Sequence, residues 1–203
     1  MQRDLARRVR KEGHVLPNAW IAGVDVHVRG SVGFAVCALV RLNTLETHET
    51  AVAEGAVTFP YVPGFLSFRE LPLAAEAVRK LTQTPDVLLV DGQGVAHPRR
   101  LGLAAHLGLE LDMPAIGCAK SRLYGTHDEP CLMRGCRTPL LAGEETVGVV
   151  LRTRHSAAPL YVSVGHRMSL EACVDVVLRC TPLYRIPIPL RLAHQTARQL
   201  ASV

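Results

Sequence analysis

The run Val87-Leu88-Leu89-Val90 constrains the fold of this chain more than any other segment. Four consecutive apolar residues between polar neighbours make a short strand that must be dry on both faces, as strands are in sheets covered by helices on both sides. Asp91 stands where this strand ends, followed by Gly92-Gln93-Gly94 and then by His97-Pro98-Arg99-Arg100. Glycines at such a point permit positive φ and let the backbone approach a ligand closely. Ligands of open α/β sheets sit outside the carboxyl ends of the strands. A carboxylate at that edge, beside exposed amides and basic side chains, therefore suits a metal ion and a phosphate. The plainer alternative, an Asp-Gly turn with a solvated carboxylate, gives no reason for the His-Pro-Arg-Arg that follows.

Upstream, residues 20–28 read as a first strand whose apolar run is interrupted by Asp25. A charge inside a strand is costly unless it is paired or metal-bound, so Asp25 is a site candidate; a surface-facing alternation is the competing reading. Gly30-Ser31 predicts a tight turn into a strand over 32–42, and Asn43-Thr44 a turn into a third over 45–53. Strands joined this closely form an antiparallel meander. Residues 2–11 predict an amphipathic surface helix anchored by Leu5 and Val9.

Pro60-Tyr61-Val62-Pro63-Gly64 is a stiff loop that costs little entropy to order. A tyrosine held there can wedge into a base stack or lie tucked beneath its own loop. Ser67-Phe-Arg-Glu70 fits a helix capping box. Pro72, however, favours a helix that starts near Leu71 and carries Leu71, Ala74, Val78 and Leu81 on its buried stripe. That start leaves Glu70 outside the helix and free for chemistry.

Beyond Asp91, residues 101–111 predict a helix and 113–118 another buried strand, with Lys120 on the same rim as Asp91 and placed to neutralise charge on a phosphate. Residues 124–145 read as an irregular insertion. Segments 147–151 and 160–164 read as strands, and the basic turn Arg152-Thr-Arg154-His155 between them is a candidate phosphate contact. Ser169 caps a helix that keeps Leu170, Cys173, Val174, Val177 and Leu178 on one face. Pro182, Pro187 and Pro189 form a stiff linker before a last helix opening with Leu190-Arg-Leu-Ala-His194, where local sequence alone makes His194 an ordinary surface histidine.

Composition narrows the class. A chain of 203 residues with 48% hydrophobic content can bury one core, so a single α/β domain over 1–203 is expected. The net charge is +5 and nearly all of the positive charge is arginine, which suits bidentate phosphate contacts. The six cysteines contain no Cys-x-x-Cys pair and read as reduced, mostly buried thiols, neither a zinc site nor a disulfide framework. The longest apolar run, near 32–40, is too short to span a bilayer, and no signal peptide is visible, so a soluble cytoplasmic monomer is expected. No Gly-x-Ser-x-Gly elbow suggests a serine hydrolase.

Asp91-Gly-Gln-Gly-Val-Ala-His-Pro-Arg-Arg-Leu-Gly102 resembles the central motif of the endonuclease V family. Pro-Tyr-Val-Pro-Gly followed by Phe-Arg-Glu70, Gly-Cys-Ala-Lys120-Ser-Arg-Leu123 and Arg-Leu-Ala-His194 resemble its other blocks, in order along nearly the whole chain. The resemblance implies a ribonuclease H-like fold, a mixed central sheet flanked by helices, with the first and fourth strands side by side. Asp25 and Asp91 would then share Mg²⁺, with Mn²⁺ able to substitute, while Glu70 and His194 orient or deprotonate the attacking water. Lys120 would stabilise transition-state charge. Tyr61, between Pro60 and Pro63, would wedge the strand open, and Gly64, Leu66, Gly92, Gly94, His97 and Leu123 would line a pocket for flipped hypoxanthine. The implied activity is cleavage of deoxyinosine-containing DNA at the second phosphodiester 3′ to the lesion, leaving a 3′-hydroxyl and a 5′-phosphate, in DNA repair. Inosine-specific cleavage of RNA is the first alternative, and a non-catalytic nucleic-acid-binding relative the second; the complete acidic set argues against the latter.

Overall fold

The computed structural model describes residues 1–60 and 62–201. The elements run α1 (Gln2–Ala6), β1 (Trp20–Arg29), β2 (Val32–Arg41), β3 (Thr47–Ala56), α2 (Leu66–Arg79), β4 (Val87–Val90), α3 (Leu103–Leu111) and β5 (Ala115–Ala119). There follow β6 (Arg137–Ala142), β7 (Glu145–Leu151), β8 (Leu160–His166), α4 (Leu170–Arg179) and α5 (Ile188–Leu200). The eight strands among the described residues form one sheet in the order β3-β2-β1-β4-β5-β8-β7-β6. The β1–β2–β3 meander is antiparallel, and β4 pairs parallel with both β1 and β5. That is the ribonuclease H-like plan expected from the sequence, extended by an antiparallel β8-β7-β6 flank.

Side-chain alternation sorts the core into two layers. Ile21, Val87 and Leu89 point to the face covered by α4 and the start of α5, while Ala22, Val24, Leu88 and Val90 point to the face covered by α2 and α3. The Val87–Val90 strand is buried at every position, which is why it reads as an uninterrupted apolar run.

Several expectations need correction. The N-terminal helix ends at Ala6, not at residue 11, and Gln2 is buried rather than solvated. Beyond it the backbone leaves the helix to bond β8's end: Arg10 N–H donates to His166 Nδ1 at 3.3 Å, and Arg10 O accepts from Arg167 N–H at 2.8 Å. The third strand starts at Thr47 because Leu45 adopts φ +59° in the preceding turn.

Residues 137–142 are a strand and not part of an irregular insertion. Pro139 obscures it in the sequence, yet β6 is the sheet edge, where a missing N–H is tolerated. Cys131 and Cys136 form a disulfide, contrary to the expectation of six free thiols, whereas Cys37, Cys118, Cys173 and Cys180 are free and buried. The last helix opens at Ile188 with Pro189 in its first turn, so the proline segment is shorter than expected. None of the helices among the described residues is long and apolar enough to cross a membrane.

Candidate active site

Val24 pairs with Val90 in the parallel β1–β4 ladder, and Asp91 N–H continues it to Val24 O at 2.9 Å. Asp25 and Asp91 are therefore the next residues along two adjacent strands and project to the same side. Asp25 shares the parity of Ile21, so it faces α5. The contact there depends on Gly23: a Cβ at that position would lie 2.3 Å from the Pro189 carbonyl carbon. The bare glycine lets the first turn of α5 press onto β1, and His194, further along the same helix, reaches Asp25 with Nδ1 2.8 Å from Oδ2. Lys120, just past the end of β5, hydrogen-bonds Asp91 Oδ2.

Ligand atoms of Asp25, Asp91 and His194 all lie within 4.8 Å of one another. Two carboxylates and one imidazole offer hard oxygen and nitrogen donors of the kind that hold a divalent cation. The Lys120 ammonium, placed against Asp91, shows that the spot accepts positive charge. The residues thus fit a metal ion. Burial raises the Asp25 pKa, with the Asp91 charge adding to it and the His194 contact opposing it. Like-charged neighbours in a dry setting are what a bound cation would relieve.

Glu70 comes from the opposite face, on α2. The helix starts at Leu66, not near Leu71, so Glu70 lies within it and Pro72 is a helix-interior residue. A proline there costs about 3 kcal/mol, and tertiary contacts of the first turn offset it. Ser67 Oγ is 3.2 Å from His106 Nδ1 of α3, and the Phe68 ring packs edge-on to His106 with centroids 4.8 Å apart. The capping-box alternative also falls, since the N-cap is Phe65 and no side chain caps the helix. Burial, together with the negative charge of Asp25 and Asp91, pushes the Glu70 carboxyl up to about 8, only partly opposed by Arg69.

Beside this cluster lies a cavity of about 370 Å³ between the 62–67 turn, the 91–97 loop and the 119–123 segment. Of the residues expected in the base pocket, Gly64, Leu66, Gly92, His97 and Leu123 line it, and so does Pro63. Gly94 does not: a Cβ there would sit 2.0 Å from Val164 O, so this glycine serves the packing of the loop on β8. Neither Gly92 nor Gly94 has positive φ, contrary to expectation. Tyr61, the expected wedge, falls outside the described residues; Pro60, beside it, is exposed.

His97 is structural as well as cavity-lining. Its Nδ1 accepts from Arg99 N–H at 3.1 Å. Burial, and next the Arg99 charge, lower its pKa to about 4, so the ring is neutral at pH 7. Gly64, at φ +79°, accepts from Arg99 Nη2 at 2.8 Å and Gln2 Nε2 at 3.0 Å. Arg100 pairs with Glu145 at 2.8 Å. The two arginines that looked like phosphate ligands instead brace the cavity. Arg152 is likewise buried, paired with Glu129 at 2.7 Å and bonded to carbonyls including Pro130 O, so it does not serve the basic turn as a phosphate contact.

Sequence reasoning missed a second cavity of about 470 Å³ on the other side of Lys120, lined by Arg185, Ile186, Arg191, His194 and Gln195. Arg191 lies 4.0 Å above the half-exposed Tyr184 ring, and Arg185 donates to Ala158 O at 2.7 Å. The signal was present in Tyr184-Arg185 and Arg191, hidden among the prolines. Gln93 was missed too, although it stands inside the central motif and lines the first cavity.

A ribonuclease H-like sheet with acidic side chains on its two central parallel strands defines a class of proteins that cleave nucleic acids with divalent metals. The endonuclease V family model matches residues 3–195, and the chain belongs to the endonuclease V family. The endonuclease V of Nostoc punctiforme is 51% identical over 183 residues, covering 89% of this chain and 83% of that protein. The crystal structure of the Streptomyces avermitilis endonuclease V superposes with a TM-score of 0.94 at 40% identity, covering 99% of this chain and 90% of that one. A more distant structure, the Ciona intestinalis endonuclease V bound to DNA containing an inosine followed by a ribo-adenosine, has a TM-score of 0.87 at 22% identity over 99% of this chain and 94% of that one.

Proposed function

We propose that this protein is a Mg²⁺-dependent endonuclease that recognises deoxyinosine in DNA and hydrolyses the second phosphodiester 3′ to it. The observation that carries this reading is the meeting of Asp25, Asp91 and His194 within 4.8 Å, next to a cavity of about 370 Å³. Family membership supports the nuclease activity, and the DNA bound by the Ciona relative, which carries an inosine followed by a ribo-adenosine, supports recognition of inosine.

Asp25 and Asp91 would hold the ion, and a bound Mg²⁺ would supply Lewis-acid stabilisation of the phosphate and the leaving 3′-oxygen. The chain's own groups do the rest. Glu70 takes the proton of the attacking water as a carboxylate, a form that a cation beside Asp25 and Asp91 would favour by offsetting the charges that help raise its carboxyl to about 8. His194, held by Asp25, orients that water or shares its proton. Lys120 exchanges its contact with Asp91 for the phosphate as charge develops there. The products are a 3′-hydroxyl and a 5′-phosphate. Hypoxanthine pairs weakly, so extruding it into the Leu66–His97–Leu123 cavity costs less than extruding a normal base. Tyr61 fills the gap it leaves.

Matched inosine-containing DNA and RNA oligonucleotides, each with an adenosine control, test the reading in Mg²⁺ and in EDTA. The expected result is cutting of the inosine strand alone, abolished by EDTA, with DNA cut at least as fast as RNA. Cutting of adenosine controls at the same rate would overturn it.

Lys120, Arg185 and Arg191 line the second cavity on the far side of the cluster, where they would track the strand beyond the scissile bond. Binding of single-stranded substrate should therefore weaken with salt, with a slope of log K against log salt of about −2 or steeper. Arg191→Gln should reduce that slope by about 0.7. A slope unchanged by the substitution would remove Arg191 from the interface.

A further inference from the structure

Among the described residues, the Oε1 of Gln93 is the only buried side-chain oxygen or nitrogen without a hydrogen-bond partner. Buried polar atoms are nearly always satisfied, and an exception points to a group absent from the structure. Gln93 is 8% exposed and forms part of the wall of the cavity beside Asp91. We propose that Gln93 reads the base: its Oε1 accepts a hydrogen bond from the ring N–H of a 6-oxopurine lactam seated in that cavity. The inference rests on the function proposed above and adds the residue that selects the base.

The orientation of the amide is determined. Gln93 Nε2 donates to Ser121 O at 3.0 Å, and a carbonyl can only accept. Turning the amide over would set two acceptors against each other, so the oxygen is the atom left without a partner. The backbone is equally confined. Gln93 O accepts from Ala104 N–H at 3.0 Å, and Gly94 N–H donates to Ser163 Oγ at 2.9 Å. From below, β5 closes on the loop so tightly that a Cβ on Gly117 would lie 2.8 Å from the Gln93 carbonyl carbon. An acceptor fixed by three neighbouring elements is preorganised, and preorganisation is what discrimination between similar ligands requires.

Most of the remaining wall offers no free polar side chain, and Ser121 and Arg122 stand exposed at its rim. Leu66, Leu103 and Leu123 are apolar, Ser67 is engaged with His106, and Lys120 with Asp91. The Nδ1 of neutral His97 already accepts from Arg99 N–H. Hypoxanthine carries a hydrogen on N1 beside its O6 acceptor. Adenine presents a bare N1 lone pair, which would face the Gln93 oxygen. A site built around a hydrogen-bonding group rejects the analogue that leaves that group unpaired far more strongly than an apolar pocket can.

The test is binding in EDTA, so that no cleavage intervenes, to single-stranded oligonucleotides bearing one hypoxanthine, one adenine or one unsubstituted purine. Gln93→Met keeps the length of the side chain and deletes the acceptor. The expected result is a loss of about 10- to 100-fold for hypoxanthine and less than about threefold for the other two, so that wild-type selectivity collapses. Retained affinity for the purine and adenine probes shows at once that the variant is folded. Equal losses on all three probes overturn the proposal and make Gln93 a loop brace or the holder of an internal water. A wild-type protein with no preference for hypoxanthine overturns both this inference and the function beneath it, which separates the two failures.

Discussion

Asp91→Asn is expected to lower cleavage of inosine-containing strands by about 10³-fold or more, and to change affinity for the uncut strand by less than about threefold. The substitution is close to isosteric, and Asp91 is held by its main chain, whose N–H bonds Val24 O at 2.9 Å whatever the side chain. An amide oxygen still accepts from Lys120, so the local packing survives. What disappears is one of two adjacent negative charges, at the point where Asp25, Asp91 and His194 converge. A site that relies on charge to hold a hard cation loses the cation and the chemistry with it. Titration of Mg²⁺ or Mn²⁺ by calorimetry supplies a readout independent of turnover, and the metal heat should vanish. Near-normal turnover, or an unchanged metal isotherm, would show that the ion is held elsewhere.

How legible these features were depended on the range of the interactions that create them. The Val87–Val90 strand was readable because its burial leaves an unbroken apolar signature, and the meander because its turns are local. The adjacency of Asp25 and Asp91 follows from strand order, which no local pattern encodes; it was reached through the ribonuclease H-like plan. His194 owes its place to the missing Cβ of Gly23, a residue near the other end of the chain whose importance only the packing reveals. The start of α2 was misread because Pro72 gives a strong local signal, whereas the contacts of Ser67 and Phe68 with His106 that override it are made between helices.

Arginine carried the most misleading signal. Arg99, Arg100 and Arg152 looked like phosphate ligands and are internal struts. Arg191, which no motif singled out, lies beside the cluster on the Tyr184 ring. A guanidinium has five donors and serves equally well for carbonyls, carboxylates and phosphates. Its role is therefore decided by what the fold places within reach. Gln93 shows the same limit from the other side, because an unsatisfied atom exists only once every neighbour has been placed.

Glu70→Gln is expected to have opposite effects on activity and on stability. Turnover should fall by about 10²- to 10⁴-fold, the contribution usual for a general base. The metal-free protein should become more stable at alkaline pH. In the folded chain, burial and the charges of Asp25 and Asp91 raise the Glu70 pKa from its ordinary value of 4.5 to about 8. Below 4.5 both folded and unfolded chains carry the proton, and Glu70 makes no difference to stability. As pH rises from 4.5 towards 8, the unfolded chain releases the proton while the folded chain keeps it, so the wild type loses stability at up to about 1.4 kcal/mol per pH unit. Above 8 the penalty is complete and constant. The substituted amide cannot ionise and escapes this slope. The two proteins should therefore melt alike at about pH 4 and diverge through neutrality, the variant melting several degrees higher at about pH 9. Mg²⁺ should narrow the gap by raising the wild-type melting temperature more than that of the variant, since a cation offsets repulsion among carboxylates. Thermal melts of both proteins across that pH range, in EDTA and in Mg²⁺, decide the matter. A constant offset between them at all pH values would place the Glu70 carboxylate in solvent, away from the aspartates, and with it would go the assignment of Glu70 as the base.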